Sequence, residues 1–116
     1  MLGRFMKDDS ITLELTRQAC GKVTEFLGAI SEEEFYADAK TQSAIIMQLI
    51  VIGELAKNVS QVARSAIDVP WKQIAGLRDV AIHQYFGLKL KEVWRVIKDD
   101  VPMVQDKISA YLAVSK

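Results

Sequence analysis

One cysteine and one histidine are all that this chain of 116 residues offers to covalent cross-linking or soft metal chemistry. A single thiol, Cys20, excludes an intrachain disulfide and any multi-cysteine zinc site. Two prolines and six glycines leave long stretches unpunctuated, and no Asn-Gly or Asp-Gly pair signals a tight hairpin. Neither sign of charge dominates. Fifteen basic residues balance fifteen acidic ones, so no global field draws the chain toward nucleic acid or an anionic membrane. Any phosphate-binding surface must therefore be local. The longest apolar stretch, Ala44–Ile52, is interrupted by Gln48 and falls far short of the roughly 20 residues that span a bilayer. Residues Met1–Asp9 have no apolar core of the secretory kind. What is present is ordinary for a folded protein: 50% hydrophobic and 26% charged, ample apolar surface to offset the entropy of ordering. The expectation is one cytoplasmic domain over residues 1–116, with residues 1–7 a loose N-terminal extension and no membrane association.

Helical periodicity organises the chain. Ile11, Leu15, Ala19, Val23 and Phe26/Leu27 recur at three- and four-residue steps, predicting an amphipathic helix over Asp8–Leu27. Asp8, Asp9 and Ser10 offer caps at its start, and Gly28 a stop. Ser31 with Glu34 reads as a capping box opening a short helix that carries Phe35. Thr41 opens a second long helix, predicted to reach about Ala66, whose first half is apolar on almost every face. Such a helix must be covered on several sides, by neighbouring helices or by a second copy, and a homodimer is the expectation. Asp68-Val69-Pro70-Trp71 breaks the chain and restarts a helical stretch from Trp71 to His83. The last helix carries Val93, Trp94, Ile97, Val101, Val104, Ile108 and Leu112 on its inner stripe, with Pro102 expected to kink or split it and Asp99 and Asp100 free to cap a restart. Four principal helices with short connections predict an all-α antiparallel bundle.

Local charge is uneven. Residues 1–40 carry five basic and eight acidic side chains, whereas residues 64–95 carry six basic against three acidic and surround the only histidine. Within that basic region, Gly76-Leu77-Arg78-Asp79-Val80-Ala81-Ile82-His83-Gln84-Tyr85-Phe86-Gly87 packs four chemically capable side chains into eight positions. Arginine is a permanent planar cation suited to clamping phosphate. Histidine is the side chain best placed for proton transfer near neutrality. Asp79 and His83 are four apart, so on a helix the carboxylate can fix the imidazole's tautomer. Arg78 and His83 are five apart, about 140° around a helix, and flank a cleft from two sides. The bland reading is a surface salt-bridge network with a histidine near a helix end. Trp71 and Trp94 either stack bases or pack the core, and Cys20 packs as a small hydrophobe.

The string Arg-x-x-x-x-His-x-Tyr, here Arg78, His83 and Tyr85, resembles the signature of the HEPN superfamily. The wider pattern is similar to its HepT-like branch, the toxin half of HEPN/MNT toxin–antitoxin pairs. It includes Lys40-Thr41-Gln42-Ser43-Ala44, Ile52-Gly53-Glu54 and Val69-Pro70-Trp71-Lys72-Gln73-Ile74-Ala75-Gly76-Leu77-Arg78-Asp79, and the resemblance runs from about Asp8 to Leu112. It implies an all-α bundle that dimerises, bringing two copies of the motif to a shared cleft, and an endoribonuclease that works without metal or other cofactor. Carried over, His83 is a general acid or base on the ribose 2′-hydroxyl or the leaving oxygen. Arg78 holds the scissile phosphate, and Asp79 orients one of the two. RNA is then the substrate and a 2′,3′-cyclic phosphate the product. The resemblance also makes Tyr85 the residue to which an MNT-type nucleotidyltransferase antitoxin adds AMP, placing bulk and negative charge in a cationic cleft. Glu54 either faces that cleft through the close approach Gly53 allows, or pairs with Lys57 or Asn58 on the surface. Two rival readings remain: a non-catalytic HEPN-type module that binds RNA, nucleotide or a partner, and a plain helical dimerisation domain in which His83 is dispensable.

Overall fold

A computed structural model describes residues 2–87 and 89–114, with side chains for residues 9–83 and 89–114. Among the described residues every regular element is helical. The elements are α1 (Leu2–Leu27), α2 (Glu32–Ala37), α3 (Ala39–Lys57), α4 (Gln61–Ala66), α5 (Trp71–Ala75), α6 (Leu77–Gly87), α7 (Leu90–Arg95), a π-helical turn (Val96–Asp100) and α8 (Val101–Val114). The all-α bundle read from periodicity is what forms. Helix α3 is its axis, packed against α1, α2, α5 and α6, while α8 closes the far side of α1. No helix among the described residues is long and apolar enough to cross a membrane.

Local signals act where the sequence puts them at several boundaries. Gly28 takes a positive φ of 57° and ends α1, its amide donating to the Thr24 carbonyl at 3.1 Å, a left-handed stop that costs glycine nothing. The capping box at α2 is complete: the Glu34 amide donates to Ser31 Oγ, and the Ser31 amide donates to Glu34 Oε1 at 2.8 Å. Asp38 caps α3, accepting from the amide and the hydroxyl of Thr41 at 3.0 and 2.6 Å.

Five details differ from the sequence reading, the first being that the stretch expected as one helix from Trp71 to His83 forms two, Trp71–Ala75 and Leu77–Gly87. Helix α1 runs through the Asp8-Asp9-Ser10 segment instead of starting there, and Asp9 instead accepts hydrogen bonds from the Ser60 amide and hydroxyl. The face of α1 that enters the core is Leu13, Thr16, Ala19, Cys20, Val23 and Leu27. Ile11, Leu15 and Phe26 stay exposed at 58%, 45% and 40%. Ala19, Val23 and Leu27 of the expected stripe are buried, while its N-terminal members Ile11 and Leu15 give way to Leu13, Thr16 and Cys20. The second long helix stops at Lys57 and resumes at Gln61, because Ser60 caps α4 and Arg64 reaches back to the carbonyls of Val59 and Ala56 at 3.0 and 2.8 Å. Pro102 neither splits the last helix nor recruits a carboxylate cap. The π-helical turn just before it lets the Val101 amide donate to the Val96 carbonyl, which takes up the chain where the proline has no amide to give. Asp100 pairs with Arg95 at 3.4 Å instead.

The core is well filled by Phe35, Ile45, Leu49, Ile52, Ile74 and Ile108, each essentially inaccessible. Thr16 is the one buried polar residue among those described, and its hydroxyl donates to the Thr12 carbonyl at 2.8 Å. Of the expected inner stripe of the last helix, Val93, Ile97, Val101, Val104 and Ile108 are buried, and Trp94 and Leu112 are partly buried against the core. Much of the apolar first half of α3 finds its cover inside the same chain. Ile45, Ile46, Leu49 and Ile52 are buried, and Met47 is left 55% exposed.

Candidate nucleic-acid site

The joint between α5 and α6 lies directly on α3, and Gly53 is why it can. A Cβ at that position would stand 2.5 Å from the Arg78 amide nitrogen and 3.2 Å from the Ala75 carbonyl oxygen. No side chain fits there, so the two backbones touch. Gly76 turns the chain between the two short helices in an ordinary right-handed conformation. Trp71 anchors the start of the segment: its indole donates to the Ile67 and Arg64 carbonyls at 3.0 and 3.1 Å. The Arg64 guanidinium lies 5.9 Å from its ring centre. Trp94 packs beside Phe35 with ring centres 5.6 Å apart, and Lys98 lies over it at 5.3 Å. Both tryptophans are therefore structural, as the packing alternative has it.

That close approach brings Glu54, the residue after Gly53, against Arg78. Glu54 Oε1 is 2.9 Å from Arg78 Nε and 3.6 Å from Lys57 Nζ. Of the two readings left open for Glu54, the surface pairing with Lys57 is present, and the same oxygen also meets the motif arginine. Asn58 contacts only the Glu54 backbone carbonyl, at 3.1 Å. All three charged side chains remain roughly half exposed, Arg78 at 43%, Lys57 at 44% and Glu54 at 48%. They hold one another at the surface without being withdrawn from solvent. In the sequence, the three-residue spacing from Glu54 marks Lys57 as a surface partner and gives no sign of its place beside Arg78.

Arg78, Asp79 and His83 all lie on α6. His83 and Asp79 are exposed, and Arg78 is intermediate. Among the described residues no hydrogen bond or ion pair joins Asp79 to His83, so the carboxylate does not hold the imidazole in this conformation. The Tyr85 side chain lies outside the described residues. No group of three histidine, cysteine or acidic residues is placed to hold a metal ion among those described. Cys20 sits in the core, away from this surface, and burial pushes its thiol pKa up to about 12, which makes it a poor nucleophile.

Comparison with known proteins agrees on one family. The family model described as Ribonuclease HepT-like matches residues 16–111. A protein of Thermococcus cleftensis named "Probable ribonuclease HepT" is 38% identical over 82% of this chain and 87% of its own length. A protein of Caldanaerobacter subterraneus subsp. tengcongensis, named as a "Putative RNase", is 35% identical over 96% of this chain and 100% of its own length. Another of that name from Methanocaldococcus jannaschii is 33% identical over 78% of this chain and 84% of its own. No solved structure gives a significant match. The matched span takes in Gly53, Glu54 and the whole Arg78–Tyr85 motif, and on these grounds the chain belongs to the HepT-like ribonuclease family.

Proposed function

We propose that the protein is the toxin of a HEPN/MNT toxin–antitoxin pair, an endoribonuclease that cleaves cellular RNA without a metal ion. The observation that carries this reading is the Arg78 guanidinium, seated on Glu54 at 2.9 Å on the same helix as the exposed His83. A guanidinium has five N–H donors in a fixed fork, so an ion pair through Nε leaves other donors for a phosphate. His83 lies about 7.5 Å further along the helix axis, within reach of groups flanking a phosphate held at Arg78.

In the proposed reaction the ribose 2′-oxygen attacks the adjacent phosphorus and the bond to the 5′-oxygen breaks. The products are a 2′,3′-cyclic phosphate and a 5′-hydroxyl. One proton leaves the 2′-hydroxyl and one must reach the departing oxygen. His83 serves one of these transfers, and a two-fold dimer supplies a second histidine for the other. Arg78 stabilises the charge that grows on the phosphoryl oxygens, and Asp79 is the polar residue that orients the motif once RNA is bound. Dimerisation is supported by large apolar side chains left at the surface, Met47 on α3 and Ile82 beside His83.

Silencing in this reading is by a nucleotidyltransferase antitoxin that adenylylates Tyr85. Each transfer forms a phosphodiester on the phenolic oxygen, with ATP as the donor and pyrophosphate as the leaving group. The added negative charge competes with RNA for the cations around Arg78. The test is RNA cleavage by the purified chain in EDTA, beside His83→Ala and Arg78→Ala. Both substitutions should abolish cleavage, a loss of at least about 100-fold for removal of a general acid–base group. Co-expression with a nucleotidyltransferase encoded beside the gene should add AMP at Tyr85 by intact mass. A folded, unmodified chain that leaves both messenger and transfer RNA intact would overturn the enzyme reading in favour of a binding module.

A further inference from the structure

Lys57 has no part in the motif, yet it meets Arg78 at one carboxylate oxygen, 3.6 Å from Lys57 and 2.9 Å from Arg78. From this juxtaposition we infer that Lys57 and Arg78 form a two-cation seat for a single RNA phosphate, with Glu54 as the positioning residue that holds the two cations together. The inference rests on the ribonuclease reading for its substrate and adds a binding residue from a different helix.

Three observations carry it. The first is geometric: both cations reach the same oxygen, so their nitrogens are close enough to contact one phosphate group. The second is electrostatic. Two cations and one carboxylate leave a net single positive charge, which one phosphodiester neutralises. Without Glu54 the cations would repel each other, and without Lys57 the Arg78–Glu54 pair would be neutral and would draw an incoming phosphate only through the guanidinium's free donors. The third is accessibility, since all three side chains are nearly half exposed and can meet a polyanion without the helices separating. Gly53 fixes the register of the whole arrangement, because backbone contact with Arg78 and Ala75 leaves little freedom for α6 to slide along α3.

The alternative role for Lys57 is structural. It sits in the last turn of α3, where a cation favours the negative end of the helix dipole. A salt titration separates the two roles, because only a residue that displaces counterions from RNA changes the slope of log affinity against log salt. The probe is a short single-stranded RNA with 2′-O-methyl riboses, which cannot undergo the internal attack. Binding is measured across a salt series for the wild type, Lys57→Gln, Lys57→Arg and Lys40→Gln. Lys40 lies at the other end of α3, and its substitution removes the same charge from the molecule.

Lys57→Gln should weaken binding at low salt by about 3- to 10-fold and flatten the slope by about 0.7, the value for one phosphate contact on a single strand. Lys57→Arg should restore both, and Lys40→Gln should keep the wild-type slope. In cleavage of unmodified RNA the Lys57→Gln defect should fall on KM more than on kcat, since a phosphate contact made before and during reaction is uniform binding. Wild-type affinity and slope in Lys57→Gln would overturn the inference and leave the ribonuclease reading standing, as would an equal loss in Lys40→Gln. A wild type that does not bind the probe also overturns it. Conversely, a wild type that binds with the predicted Lys57 dependence but cleaves no RNA upholds the seat and removes the nuclease.

Discussion

At the scale of single residues, Gly53 carries the most consequence for the least volume. Alanine is better than glycine inside a helix by about 1 kcal/mol, so Gly53→Ala would stabilise α3 if nothing opposed it. What opposes it is the backbone of Arg78, 2.5 Å from the added carbon and unable to rotate aside as a side chain would. Forcing two packed helices apart costs roughly 1–3 kcal/mol, and an obstacle that cannot yield belongs at the upper end. Gly53→Ala should lower unfolding stability by about 2 kcal/mol net, measured by denaturant titration, and should reduce RNA cleavage more than that loss of folded protein explains. Cys20 makes the opposite kind of prediction. Its folded pKa is raised, to about 12, above the ordinary thiol value near 8.5. Stability is therefore fully present below about pH 8.5 and declines as pH rises toward the folded value. The limiting slope is about 1.4 kcal/mol per pH unit. Alkaline unfolding of the wild type beside Cys20→Ala should show the wild type losing stability more steeply, and native protein should resist thiol alkylation at pH 8.

At the scale of elements, the joint between α3 and α4 depends on a hydrogen-bonded cluster that spans 51 residues of sequence. Ser60 caps α4 by accepting from the Ala63 amide at 3.3 Å, and its own amide and hydroxyl donate to Asp9 on α1. Loss of a serine cap costs about 1 kcal/mol, and here the Asp9 contact is lost with it. Ser60→Ala should cost about 1–2 kcal/mol. The double substitution with Asp9→Ala should cost less than the two singles added, because they share one interaction. Additive losses would mean that the two residues are uncoupled. The capping signals at Ser31 and Gly28 are legible in the sequence because each acts within four residues of itself, whereas the Asp38 cap sets the start of α3 at Ala39, ahead of the Thr41 start that the sequence suggests. The break after Lys57 was not, since Arg64 and Asp9 make it from elsewhere in the chain.

At the scale of the whole molecule, the remaining exposed apolar side chains bear on assembly. Helix α1, at 26 residues or about 39 Å, sets the long axis of a body measuring 47 × 25 × 20 Å. Most of α3 is covered by other helices of the same chain, so an all-round apolar sequence did not by itself demand a partner. Ile82, 36% exposed and adjacent to His83, is the apolar side chain best placed to test a dimer that joins two motifs. Light scattering should give twice the 13.0 kDa chain mass. Ile82→Glu should shift the protein toward monomer and lower cleavage while leaving the helical spectrum intact. A monomeric wild type with full activity would remove the dimer from the mechanism.

The sequence by itself determined the helical class, the capped start of α2, the stop at Gly28 and the inner stripe of the last helix. Each follows from periodicity or from hydrogen bonds between near neighbours, which are local physics. It also singled out Arg78, Asp79 and His83 as chemically capable groups on one helix. The tertiary structure decided which members of the apolar face of α1 are buried and where the second long helix ends. It alone brought Glu54 to Arg78, through the absence of a side chain at Gly53, and so set Lys57 beside the motif. Those outcomes depend on which helix packs on which, a property of the assembled bundle that no short window of sequence contains.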